Sequence, residues 1–167
     1  MRIGIIGPNK ISGLNKKEKT RRLKNLSVLA KLIAESGFEI LLTPDKNSFL
    51  SYFGKKYLEF GGKKVYEIVP LKDDYKEYLD TTLGEIISCE KWPNQPVKFN
   101  EECGIIFCIG YGGMVLAEIG FSKYYNPKTI YIINEFVSSK LPKEIGLDIK
   151  YINIKDIAMI LRKFRIG

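Results

Sequence analysis

The feature that most constrains this chain is an alternation. Short β-branched apolar runs recur along it, and most are followed by a longer segment with apolar residues at helical spacing. Arg2 to Gly7 (RIGIIG), Phe38 to Thr43 (FEILLT), Lys64 to Val69 (KVYEIV), Cys103 to Ile109 (CGIIFCI) and Thr129 to Asn134 (TIYIIN) read as strands, with shorter candidates at Ile86 to Ser88 and Tyr151 to Ile154. Runs that are apolar on both faces need cover above and below, which is the condition of a parallel sheet. The cover is at hand. Lys16 to Ser36 carries Leu23, Leu26, Leu29, Ala30 and Ile33 on one stripe and stops at Gly37. Asn47 or Ser48 caps a second helix holding Phe49, Tyr52, Phe53, Tyr57 and Phe60, ended by Gly61-Gly62. Further helices are expected over Met114 to Tyr125, closed by Asn126-Pro127, and from Asp156 to Phe164. Asp73 to Leu83 is expected to be helical as well, and Trp92 to Pro96 to be a loop. The predicted fold is α/β, a doubly wound parallel sheet with helices on both faces and right-handed crossovers. With 167 residues, the span 1–167 is expected to form a single domain.

Absences narrow the chemistry. Without any histidine, neither a Ser-His-Asp nor a Cys-His nucleophile can be built, and imidazole zinc sites are excluded. The three cysteines, Cys89, Cys103 and Cys108, form no CxxC pair, so neither a disulfide framework nor a four-thiolate metal site is expected. No cofactor is called for. No apolar run approaches a membrane span and none has the form of a signal peptide, so a cytoplasmic protein without membrane contact is expected.

The net charge of +8 raises the question of nucleic acid, and the densest basic patch is Lys16, Lys17, Lys19, Arg21, Arg22 and Lys24. Only five of the 27 basic residues are arginine, the type that planar phosphate and guanine recognition favours. The lysine excess, 23 isoleucines and a single glutamine, Gln95, look instead like thermophile composition. A solvated lysine face is the simpler reading, and nucleic acid the lesser one.

In an open parallel sheet, ligands bind beyond the carboxyl ends of the strands. Two strand-to-helix junctions have suitable composition: Gly7-Pro8-Asn9-Lys10 and Gly110-Tyr111-Gly112-Gly113-Met114. Glycines let backbone N–H groups approach an anion, and the following helix adds unpaired N–H groups at its positive end. Gly7, Pro8, Asn9, Gly110, Tyr111, Gly112, Gly113 and Met114 are therefore the candidate phosphate-binding residues, with a tight turn as the plainer alternative. Neither junction is a GxGxxG or Walker motif. The next helix is apolar nearly all round, and Glu118, on the stripe of Met114, is its only charge. A carboxylate one turn behind a phosphate cradle suits general acid/base work or stabilisation of a cationic sugar, and equally a subunit contact or a narrow solvated edge.

The run Gly110-Tyr111-Gly112-Gly113-Met114-Val115-Leu116-Ala117-Glu118 resembles the PGGxGTxxE or GGGxGTxxE motif of the LONELY GUY family, whose older members carry the label "possible lysine decarboxylase". Gly110, Gly112 and Glu118 match it, while Tyr111, Met114 and Val115 stand where the family has Gly, Gly and Thr. The family's upstream arginine has no counterpart here, since Ser88 to Trp92 offers only Lys91, and its second glycine-rich loop is replaced by Thr43-Pro44-Asp45-Lys46-Asn47. The resemblance implies a single Rossmann-like domain, a nucleotide or other phosphate-bearing ligand at residues 110–113, and homo-oligomers formed through helices near the motif. Molybdenum-cofactor carrier proteins are similar to this family and imply binding without turnover. Its catalytic members imply a nucleoside 5'-monophosphate phosphoribohydrolase with Glu118 as the catalytic carboxylate and Lys91 or Lys10 replacing the arginine. Decarboxylation, which needs pyridoxal phosphate, is not implied.

Overall fold

The computed structural model describes residues 1–10, 13–126 and 128–166. Seven strands form one wholly parallel sheet: β1 (Arg2–Ile6), β2 (Glu39–Leu42), β3 (Val65–Val69), β4 (Glu85–Ser88), β5 (Ile105–Cys108), β6 (Ile130–Ile133) and β7 (Ile149–Ile152). Their spatial order is β4-β3-β2-β1-β5-β6-β7. The helices are α1 (Lys16–Ser36), α2 (Phe49–Glu59), α3 (Gln95–Glu102), α4 (Gly113–Phe121) and α5 (Ile157–Ile166). The α/β class expected from the alternation is the one observed.

The cover is divided as the periodicity requires. Leu26, Leu29 and Ile33 of α1, Phe53 and Tyr57 of α2, and Ile157 and Leu161 of α5 pack with Ile3, Ile5, Leu42, Phe107 and Ile133 on one face. Phe99 of α3 and Val115 and Ile119 of α4 pack with Ile6, Leu41, Ile68, Ile106 and Cys108 on the other. Burying each such aliphatic or aromatic side chain is worth about 1.5–3 kcal/mol, so the sheet is the chief source of stability. The α1 ends follow the sequence signals: Asn15 and Glu18 form a capping box, and Gly37 takes the left-handed C-terminal turn at φ 73°. Ser48, not Asn47, caps α2.

Three local expectations are corrected. Asp73 to Leu83 is not helical beyond a turn at Tyr75–Leu79, because its polar groups are satisfied across the chain. Lys46 N donates to Tyr78 O, the Asp73 carboxylate accepts from Trp92 N, and Leu79 bridges Asp45. Trp92 to Pro96, expected as a loop, is a single 3-10 turn leading into α3. Both prolines stand in first turns, where a helix has no use for their missing N–H, so they start it rather than break it. The helix expected to reach Tyr125 ends at Phe121; of its proposed stop, Pro127 lies outside the described residues.

Candidate functional site

The connections reverse direction at one place. From β1 the chain works outward through β2 and β3 to β4, then returns through α3, on the opposite face, to pair β5 with the free side of β1. The two glycine-bearing junctions follow these neighbouring strands, so the sheet brings them together at its switch point.

Their contact is close. A Cβ at Gly7 would lie 2.4 Å from Ile109 Cγ1, and one at Gly110 would lie 2.8 Å from Pro8 Cδ. Gly110 has φ 135°, a conformation that L side chains rarely adopt. These two glycines therefore let the loops pack on one another. Gly112 and Gly113 differ: an added Cβ would make only ordinary contact at the first and none within 4 Å at the second. Gly112 is the N-cap of α4 and, having no side chain, leaves the first N–H groups of that helix uncapped. By contrast Asn15 and Ser48 cap α1 and α2. Tyr111 turns away from α4, its hydroxyl reaching Ser139 O at 3.1 Å and Tyr151 Oη at 3.4 Å. Met114 is largely exposed. Asn9 accepts from Asp45 N through Oδ1 and from Phe49 N through its carbonyl, which ties the β1–α1 loop to the start of α2.

The residue missed in the sequence is Arg22. Within the basic patch its guanidinium alone turns inward, donating to Ile109 O at 3.2 Å and Phe136 O at 3.1 Å. Its Nη1 lies 3.3 Å from where a Gly110 Cβ would stand. It pairs with no carboxylate among the described residues. Burial, and next the charge of Arg21, lower its pKa from the ordinary arginine value. A signal was present: Arg22 stands four residues before Leu26, on the stripe that continues through Leu29 and Ile33. Beside it is a cavity of about 360 Å3 walled by Arg21, Arg22, Tyr111, Phe136 and Glu135. Glu135 Oε1 accepts from Ile154 N, and its buried Oε2 has no partner.

Glu118 does not share the exposure of Met114. It is 5% exposed, and Oε1 accepts from Gln95 Nε2 at 2.7 Å, which also donates to Thr43 Oγ1 at 2.8 Å. Desolvation raises its pKa to about 8, against the smaller opposing effect of the Gln95 hydrogen bond. The carboxyl is therefore mostly protonated at neutral pH. The apolar remainder of α4 is not wholly covered: Met114 is 45% and Leu116 48% exposed. Lys91, at the end of the β4 connection, and Lys10, in the β1–α1 loop, show no ion pair among the described residues. No cluster of His, Cys, Asp and Glu that could hold a metal occurs among the described residues.

No family model and no curated protein matches the chain. Solved structures do. The Moco carrier protein from Chlamydomonas reinhardtii superposes with a TM-score of 0.76 at 14% identity, over 99% of this chain and 97% of that one. The chain has the fold of the molybdenum cofactor carrier proteins. The molybdenum cofactor binding protein from the phototrophic bacterium Rippkaea orientalis is equally similar, with a TM-score of 0.75, 17% identity and the same coverages. The Rossmann-like architecture implied by the glycine-loop resemblance is thus observed over nearly the full length. No helix among the described residues is long and apolar enough to cross a membrane.

Proposed function

We propose that the chain, acting as one binding domain over 1–167, holds a phosphate-bearing small molecule at the switch point without turning it over. The observation that carries this reading is the pairing of an uncapped α4 N-terminus with the guanidinium of Arg22, which is held by two backbone carbonyls but by no carboxylate among the described residues, across the Gly7–Gly110 contact. N–H groups at a helix start and a guanidinium are what a phosphate seeks. The backbone of Gly112, Gly113 and Met114 meets the phosphate, Gly7, Pro8 and Gly110 fix the two loops, and Tyr111 walls the cavity. Glu135 Oε2, buried without a partner, suits a donor on the rest of the ligand, such as a ribose hydroxyl or a pterin N–H. A nucleotide has this form, and the proteins that share the fold are carriers or binders of the molybdenum cofactor, likewise a phosphate-bearing small molecule.

Glu118 favours binding over hydrolysis. A phosphoribohydrolase would need an ionised carboxylate to stabilise positive charge on the sugar, whereas this carboxyl is buried and neutral near pH 7. The basic patch supports nucleic acid less well than a small anion, since Arg22 turns inward toward the crevice and Arg21 is the one arginine the patch leaves exposed. Self-association through the exposed Met114 and Leu116 belongs to the same reading, as does a cytoplasmic setting, in keeping with three free buried thiols. Light scattering measures the former; a strictly monomeric chain at working concentration would exclude it.

A thermal-shift and calorimetric screen against nucleoside mono-, di- and triphosphates, ribose 5-phosphate and a pterin phosphate tests the site. A ligand at about one hundred times its Kd stabilises by roughly 2.7 kcal/mol. Gly112→Asp, which adds charge with room for its Cβ, is expected to abolish the shift, and Arg22→Gln to weaken binding at least about tenfold. Glu118→Gln is expected to retain it. No shift with any phosphate would overturn the reading, and release of free base from a purine monophosphate would restore the hydrolase.

A further inference from the structure

A cavity of about 670 Å3 lies outside the crevice, on the α1–α2 face of the β1–α1 loop. Its walls include Leu23 of α1, Phe49 and Tyr52 of α2, and three lysines, Lys10, Lys19 and Lys55, with no carboxylate among the described residues that line it. Leu14 borders both this cavity and the smaller one beside Tyr111, and Arg22 stands between them, its guanidinium carbon 5.6 Å from the ring centres of both Phe49 and Phe136. The two chambers are therefore separate rooms with one wall.

The lysines are not equivalent surface charges. Lys10 and Lys19 make no ion pair among the described residues. Lys55 is tethered: its Nζ lies 3.4 Å from Asp80 Oδ2, and that buried carboxylate is itself held by Ser51 Oγ at 2.5 Å and by Thr82. Asp80 fixes the ammonium at the cavity wall, which lowers the ordering cost of using it. An apolar chamber of this size with a few convergent polar groups is the usual form of a small-molecule site. Lys10 and Lys19, without ion pairs among the described residues, together with Lys55, which Asp80 holds in place, favour negative charge.

We propose that this cavity is a second binding site, independent of the phosphate crevice, for an organic anion with a planar apolar body. The body stacks against Phe49, Tyr52 and Leu23, and the charged group meets Lys10, Lys19 and Lys55.

Anilinonaphthalene sulfonate, an aromatic anion of suitable size, is the probe, and phenylnaphthylamine, its uncharged counterpart, is the control. Fluorescence titration of the folded full chain is expected to show saturable binding of one sulfonate per chain, with phenylnaphthylamine at least about tenfold weaker. Lys19→Gln combined with Lys55→Gln should weaken the sulfonate at least about tenfold, and Tyr52→Ser should weaken both dyes. Gly112→Asp, which lies in the other loop, should leave the sulfonate affinity unchanged while abolishing phosphate binding. Absence of saturable binding, equal affinity for the two dyes, or indifference to the lysine substitutions would overturn the proposal. Loss of dye binding in Gly112→Asp would also overturn it, by placing the dye in the crevice.

Discussion

Glu118→Gln is expected to have nearly the stability of the parent chain near pH 5 and to exceed it by about 4 kcal/mol near pH 9. The sign follows from proton binding. The Glu118 carboxyl has a folded-state pKa of about 8, above its ordinary value of 4.5, so between those values the folded chain holds a proton that the unfolded chain has released. Its contribution to stability is complete below about pH 4.5 and is lost as pH rises through about 8, up to about 5 kcal/mol in all. A glutamine there has no charge to bury and can still accept from Gln95 Nε2. Denaturant unfolding of both chains across this range measures the difference. Parallel pH curves would show that Glu118 ionises normally.

The other large effect concerns the crossover between β3 and β4. Glu67, fully buried on β3, accepts from the backbone N–H groups of Leu83 at 2.8 Å and Gly84 at 2.6 Å through one oxygen. Glu67→Ala removes the acceptor for both, and stability should fall by about 3 kcal/mol, within the range for leaving buried donors unpaired. Glu67→Gln keeps an acceptor and should lose less than half of that. Hydrogen exchange at Leu83 and Gly84 reads the same event locally, since protection there should collapse in the alanine variant and persist in the glutamine one. Equal losses in both variants would assign the effect to the charge instead. Burial raises the Glu67 pKa to about 7, so its stabilising contribution is likewise lost as pH rises through that value, in the same sense as for Glu118.

What was legible in the sequence was whatever rests on local periodicity and chain-end chemistry. The α1 stripe, the Gly37 stop, an α2 cap at Asn47 or Ser48 and the central apolar strands are all properties of contiguous residues, and each appears in the structure, with Ser48 as the cap. Ile86 to Ser88 was read as the strand it is, but Asp73 to Leu83 was misread because its hydrogen-bond partners lie far along the chain. Asp73 is held by Trp92, Tyr78 by Lys46 and Asp80 by Ser51, and no window of the sequence contains both members of these pairs. The differing parts played by the candidate site residues were hidden in the same way. The glycines drew notice as a group, but only the packed loops separate Gly7 and Gly110, which bring the segments together, from Gly112 and Gly113, which stay open. Glu118 was noted as the lone charge of its helix, yet its partner Gln95 sits in the segment expected to be a loop. Arg22 was hidden by the lysines around it, although helical arithmetic puts it on the buried stripe.

The pairing of β1 with β5 also bears on how the chain assembles. Ile3, at the start of the chain, meets Ile105, so the centre of the sheet is closed by a contact that bridges most of the molecule. Strands β1 to β4, with α1 and α2, can form first from contacts between sequence neighbours, but half of their surface then waits for α3 and α4. Distant pairings of this kind are slow because the loop must close before it is rewarded. The crevice lies at that seam. A nascent chain therefore has no crevice between these loops until β5 has docked, and the site proposed there can form only with that pairing.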